Sequence, residues 1–189
     1  MKRYLLIAKY STAIMLICWC ILILNSLLPI NLNQWGIVPR SIEHLPGIII
    51  APFLHANLAH LLSNFLPFII FAILIGLQSV KRFFLLFVFF VVTTGLLVWL
   101  FARGNSIHIG MSGVIYALWG YLLVYGFVCR QFLSIIISLI TLCFYGGLVF
   151  GVLPSTPGIS FESHLLGAIV GALSGYYLAK REIRYSVLS

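Results

Sequence analysis

The sequence predicts an all-α polytopic membrane protein, a bundle of six transmembrane helices. Three observations carry this prediction. Of its 189 residues, 62% are hydrophobic and 7% charged, whereas soluble domains carry about 25% charged residues. The mean hydropathy is +1.17, more apolar surface than a water-soluble core can hide, so lipid must solvate most of the chain. The charges fall in ones and twos between apolar stretches, and a span needs about 20 such residues.

The elements follow in chain order. Lys2, Arg3 and Lys9 precede an uncharged stretch over 10–39. That stretch is longer than the apolar region of a signal peptide and lacks an A-x-A site, so it reads as a retained first helix over 11–30. The next segment, 31–57, holds Pro39, Pro46 and Pro52 yet is largely apolar. A solvated loop would be more polar, so this long first loop is expected to lie in the membrane interface, packed on the bundle. Further spans are predicted over 58–77, 83–101, 112–127, 132–151 and 163–179, the whole forming a single membrane domain over 1–189. Cys18, Cys20, Cys129 and Cys143 lie in or beside apolar runs without a CxxC pair, which fits small buried or lipid-facing residues.

Charge sets the direction. Lys2, Arg3, Lys9, Lys81, Arg82, Arg130, Lys180, Arg181 and Arg184 would share one side, and only Arg40 and Arg103 the other. The bias predicts both termini cytoplasmic. It also explains the net charge of +8 without a nucleic-acid partner, since the cations form no patch.

In this topology the second, fourth and sixth helices all begin on the outer side, so their first turns share one depth. Those turns hold His60, Asn64, Ser112 and His164, and His44, His55 and His108 fall in or near the outer loops. Polar and ionisable groups are costly in a membrane, so a cluster of them points to function. His60 and Asn64 are four apart and share a helix face. Gly167, Gly171 and Gly175 follow His164 at spacing four, a small-residue stripe that permits close approach to another helix. Approach to the fourth helix would bring His164 near Ser112. Each feature alone has a blander reading in helix packing; their conjunction at one depth points to acyl-transfer chemistry.

A serine hydroxyl needs a base to take its proton, and neutral histidine is the usual one. A carboxylate commonly orients that histidine, but the chain has no Asp and only Glu43, Glu162 and Glu182. Glu182 is on the wrong side, Glu43 is distant, and Glu162 is two residues before His164 and so points elsewhere. The residues therefore suggest a Ser112–His164 dyad, with Tyr116 one turn after Ser112 free to stack on the imidazole. Oxyanion donors would come from the N-terminus of the fourth helix and from His60 and Asn64. Pro67 removes a backbone bond to Ser63 in the second helix.

Three patterns resemble the rhomboid family of intramembrane serine proteases in its minimal six-helix bacterial form. They are His55-x4-His60-x3-Asn64, Gly110-Met111-Ser112-Gly113 followed by Tyr116, and His164-x2-Gly167-x3-Gly171. The resemblance implies a Ser112–His164 dyad, an oxyanion hole from His60, Asn64 and the Ser112 N–H, and supporting roles for Tyr116, Gly110, Gly113 and Gly167. His55 would be structural. It also implies membrane-protein substrates cut in or near their spans, no cofactor, no metal, and a site opening to the extracytoplasmic face of the cell membrane. The loop over 152–162, with Pro154, Pro157 and Gly158, would act as a mobile lid. General members and specialised relatives that process C-terminal sorting signals both fit these motifs. Many bacterial relatives carry a Trp-Arg pair in the first loop; the corresponding region here reads Gly47-Ile-Ile-Ile-Ala51-Pro52.

Other classes fit less well. A metal-dependent intramembrane protease would need a pattern such as H-E-x-x-H, and an aspartyl type would need Asp. A non-catalytic rhomboid-like binder of membrane clients would typically lack the serine or the histidine. A small transporter would show paired charges within its spans, and the sequence suggests none.

Overall fold

The computed structural model describes residues 3–154 and 160–188, without the side chains of 186–188. Among the described residues, six long helices make up the bundle: α1 (Arg3–Leu27), α2 (Leu58–Gln78), α3 (Val80–Phe101), α4 (Ser112–Cys129), α5 (Phe132–Tyr145) and α6 (Phe161–Leu188). A 3-10 segment, Gly146–Val152, continues α5. The described residues form no strand, only one antiparallel bridge between Ile37 and His108. By length and composition, α1 to α4 and the Phe132–Val152 stretch can each cross a membrane. The more polar α6 packs along α4, the most extensive helix pair in the bundle.

The outer helices begin and end beyond their apolar stretches. Thus α1 starts at Arg3 rather than at Ser11, and α6 runs on past Ala179 to Leu188. Charges mark where lipid gives way to water, but they do not stop a helix. In contrast, side-chain caps fix two starts sharply. Asn57 accepts from the His60 N–H at 2.9 Å, and Ser79, the one residue between α2 and α3, accepts from the Arg82 N–H at 3.2 Å.

Small residues set the packing. On α6, a Cβ at Gly167 or Gly171 would strike the Gly113 or Ala117 carbonyl of α4, and one at Gly175 would lie 2.8 Å from the Tyr121 carbonyl. From α4's side, Gly120 meets the Ala168 carbonyl in the same way. These contacts are what α4 must make to be buried nearly all round. Gly126 of α4 admits Ser134 and Ser138 of α5, and the Ser138 hydroxyl donates to the Leu122 carbonyl at 2.6 Å. Gly76 of α2 seats Ile7 of α1. Large apolar residues such as Leu85, Phe89, Leu133 and Phe144 face outward, as a lipid solvent requires.

The first loop packs on the bundle as a chain of short turns, including the helical turn Gly47–Ile50. It is fastened at the end of α3. Arg40 adopts a left-handed backbone (φ 62°), donates its N–H to the Trp99 carbonyl at 2.9 Å, and sends its guanidinium to the Leu100 and Ala102 carbonyls at 3.1 and 2.8 Å. The last carbonyls of a helix have no intrahelical donor, so Arg40 is satisfied while it caps α3. Trp99 answers by donating its indole N–H to the Ser41 carbonyl at 2.8 Å.

At the opposite end of the bundle lies a polar knot. Arg82 pairs with Glu182, donates to Gln78 at 2.9 Å and to the Tyr121 hydroxyl at 3.4 Å, and sits 5.1 Å above the Tyr125 ring. The Tyr125 hydroxyl donates to Glu182. The sequence suggests no paired charges within the predicted spans: Arg82 falls between the second and third, and Glu182 after the sixth. Folding brings them together between α3 and α6.

Candidate active site

Five of the sequence-predicted residues meet in one cavity of about 700 Å³. Its lining includes His60, Asn64 and Pro67 from α2, Ser112 and Tyr116 from α4, and His164 from α6, together with Leu148 and Ser160. Ala56, Asn57 and Ile107 complete its outer rim and are exposed, so the cavity opens at the loop end of the bundle. His164 is buried and Ser112 half-buried.

Each side chain is placed for a local reason. Gly110 takes φ +106°, a left-handed conformation that glycine adopts without strain. Its N–H donates to the Ala51 carbonyl at 2.8 Å. A Cβ there would lie 2.7 Å from the His60 ring, so Gly110 both turns the chain into α4 and makes room for His60. Ser112 begins α4, where the first-turn N–H groups have no intrahelical acceptor. Gly113 and Gly167 let α4 and α6 touch at the level of the cavity.

The geometry around His164 is specific. Its Nδ1 lies 2.9 Å from the Gly151 carbonyl. A carbonyl can only accept, so Nδ1 carries the proton and Nε2 presents its lone pair. Tyr116 stacks on the imidazole with ring centroids 4.1 Å apart and planes 7° from parallel, while its hydroxyl donates to the Leu148 carbonyl at 3.0 Å. The His164 N–H donates to the Ser160 carbonyl at 3.3 Å. The partner of the imidazole Nδ1 is thus a backbone carbonyl of the 3-10 segment and not a carboxylate. Glu162 instead pairs with Arg103 at 3.2 Å.

On α2, the Asn64 side-chain N–H donates to the His60 carbonyl at 2.7 Å, which leaves its second N–H for another acceptor. Pro67 adds no N–H toward Ser63, whose hydroxyl turns back to the His60 carbonyl at 2.8 Å. His55 does not line the cavity. It lies behind His60, edge to face at 5.0 Å, and its Nδ1 faces the Phe53 carbonyl at 3.4 Å. Burial, with the nearby His60 adding to it, pushes the His55 imidazole down to about 4, so it stays neutral near pH 7. His44 pairs with Ser41 far from the cavity. Pro157 and Gly158 of the expected lid lie outside the described residues.

Sequence reasoning missed Gly151, Leu148 and Ser160. Gly151 and Leu148 act through backbone carbonyls, which leave no side-chain signature, and Ser160 acts through both its carbonyl and its hydroxyl. The one trace was the glycine itself: a Cβ at Gly151 would strike the Tyr116 hydroxyl. Among the described residues no group of three or more His, Cys, Asp or Glu could hold a metal ion.

Serine, histidine and amide side chains thus converge in one cavity of a helical bundle, five of whose helical stretches are long and apolar enough to cross a membrane. Residues 43–181 match the Rhomboid domain. The chain belongs to the Rhomboid family, a family of intramembrane proteases. It is similar to uncharacterized proteins of Mycobacterium bovis and Mycobacterium tuberculosis, at 35% identity over 160 residues, covering 80% of this chain and 67% of each relative. An uncharacterized protein of Mycobacterium leprae is also 35% identical over 160 residues, covering 80% of this chain and 63% of that one.

Proposed function

We propose that this protein is an intramembrane serine endopeptidase that cuts transmembrane or juxtamembrane segments of membrane proteins through a Ser112–His164 dyad. The observation that carries this reading is the bond from His164 Nδ1 to the Gly151 carbonyl. It leaves Nε2 as the acceptor a general base needs, in the cavity that Ser112 also lines.

In this mechanism the Ser112 hydroxyl attacks the peptide carbonyl as His164 Nε2 takes its proton. The negative charge that develops on the carbonyl oxygen is met by the Ser112 N–H, the free N–H of Asn64 and a ring N–H of His60. Collapse of the tetrahedral intermediate breaks the C–N bond, and His164 passes its proton to the leaving amine. Water from the open rim then attacks the acyl-enzyme, with His164 again as base. A substrate helix shields its own carbonyls by hydrogen bonding, so helix-weakening Gly or Pro near the cut should speed cleavage. The nine-to-two distribution of Lys and Arg supports cytoplasmic termini and a site opening on the extracytoplasmic side of the cell membrane.

The test compares wild type with Ser112→Ala and His164→Ala, purified in detergent with a single-pass membrane substrate. Both variants should abolish cleavage, and Ser112→Ala should abolish labelling by a fluorophosphonate. Cleavage that persists in both variants would refute the dyad. A C-terminal tag reachable only from outside the cell would refute the topology.

A further inference from the structure

We propose that His108 is a positioning residue that ties the first turn of α6, and so His164, to the loop leading into Ser112. His108 lies in the α3–α4 connection and is 2% exposed. Its backbone is pinned to the first loop in both directions, with Ile37 N–H to His108 carbonyl at 3.0 Å and His108 N–H to Ile37 carbonyl at 2.8 Å. Its ring spans two hydroxyls, Nε2 to Ser106 at 3.0 Å and Nδ1 to Ser160 at 2.9 Å.

The donors can be assigned. The Ser106 hydroxyl has one hydrogen and donates it to the Arg103 carbonyl at 3.0 Å. At His108 it must therefore accept, so Nε2 carries the ring proton and Nδ1 accepts from the Ser160 hydroxyl. The Ser160 carbonyl in turn receives the His164 N–H. One continuous chain thus runs from Ile37 through His108 and Ser160 to His164. From the same loop, Gly110 reaches the His60 ring and Ser112 follows two residues later. Arg103 also holds this turn, by its pair with Glu162 and its place 5.4 Å from the Phe161 ring, but its side chain is 52% exposed, and exposed ion pairs hold geometry weakly.

The proposal rests on the peptidase reading, and its test separates the two. Full-length His108→Ala, Ser160→Ala, their double variant and His108→Asn are compared with wild type for kcat and KM on a membrane substrate, thermal stability, and hydrogen exchange in peptides spanning 160–166. Asn places an amide oxygen near the Nδ1 position and can still accept from Ser160. Misplacing a reacting group by about 1 Å costs up to about a hundredfold, so His108→Ala and Ser160→Ala should each lower kcat by roughly tenfold, with KM unchanged. His108→Asn should stay within about threefold of wild type, and the double variant should be no worse than either single. Exchange at the first turn of α6 should quicken in His108→Ala and not in His108→Asn. Unchanged exchange in His108→Ala, additive single effects, or a loss explained wholly by the unfolded fraction would overturn the tie. If wild type shows no Ser112-dependent cleavage, the peptidase reading fails, and the exchange data alone still decide the role of His108.

Discussion

At the scale of single residues, Gly151 and Tyr116 fix the state of His164. The Gly151 carbonyl cannot be deleted by substitution, but its α-carbon can be crowded. Gly151 has no left-handed φ, so Gly151→Ala adds no backbone strain. The new Cβ would nevertheless strike the Tyr116 hydroxyl and come within 3.4 Å of His164 Nδ1. This variant should fold and insert normally yet label far more slowly with a fluorophosphonate; labelling at the wild-type rate would show that the contact is slack. Tyr116 separates two effects. Tyr116→Phe keeps the stack and loses the bond to Leu148, worth about 0.5–1.5 kcal/mol, so kcat should fall by no more than about tenfold. Tyr116→Ala also removes the ring face that confines the imidazole and should cost clearly more. Equal losses in the two variants would mean that the hydroxyl, not the stack, matters.

At the scale of elements, the α4–α6 contact holds Ser112 and His164 in register. Gly171 lies where a Cβ would overlap the Ala117 carbonyl, and backbone cannot yield as a flexible side chain can. Gly171→Val should therefore push the helices apart, costing about 1–3 kcal/mol or more, and lower cleavage even in the fraction that remains folded. Wild-type kcat in that fraction would argue against a rigid register. This contact was legible in the sequence because glycine at spacing four is a side-chain signal with one helical meaning. His60, Asn64, Ser112 and His164 line one cavity, a grouping the sequence carries because alternating spans put the starts of the second, fourth and sixth helices at one end of the bundle. The fastening of the first loop was not legible. Arg40 acts through the last carbonyls of α3, and its left-handed backbone carries no glycine to announce it. The 3-10 form of Gly146–Val152 was likewise hidden, since its apolar residues read equally well as a continuation of the preceding α-helix.

At the scale of the whole molecule, the bundle is joined at two ends by different chemistry. The loop end carries the cavity, and the far end carries Arg82, Glu182 and two tyrosine hydroxyls, linking α3, α4 and α6. The Arg82 and Glu182 side chains are 23% and 33% exposed, between the surface and the interior. Exposed pairs contribute about 0–1 kcal/mol, and removing one partner of a buried pair costs about 3–5 kcal/mol. Glu182→Gln should thus destabilise by roughly 1–3 kcal/mol, because Arg82 keeps its charge and loses its counter-ion. Arg82→Met should fall in the same range, since it strands Glu182 beside Tyr125. Replacing both, Arg82→Met with Glu182→Met, removes the stranded charge and should cost less than the two single changes added together. Equilibrium unfolding in mixed micelles measures all three. Because the knot lies at the end of the bundle away from the cavity, kcat of the folded fraction should stay near wild type in each. Additive losses in the double variant would mean that Arg82 and Glu182 act independently, and a fall in kcat at full folding would mean that the far end sets the geometry of the cavity.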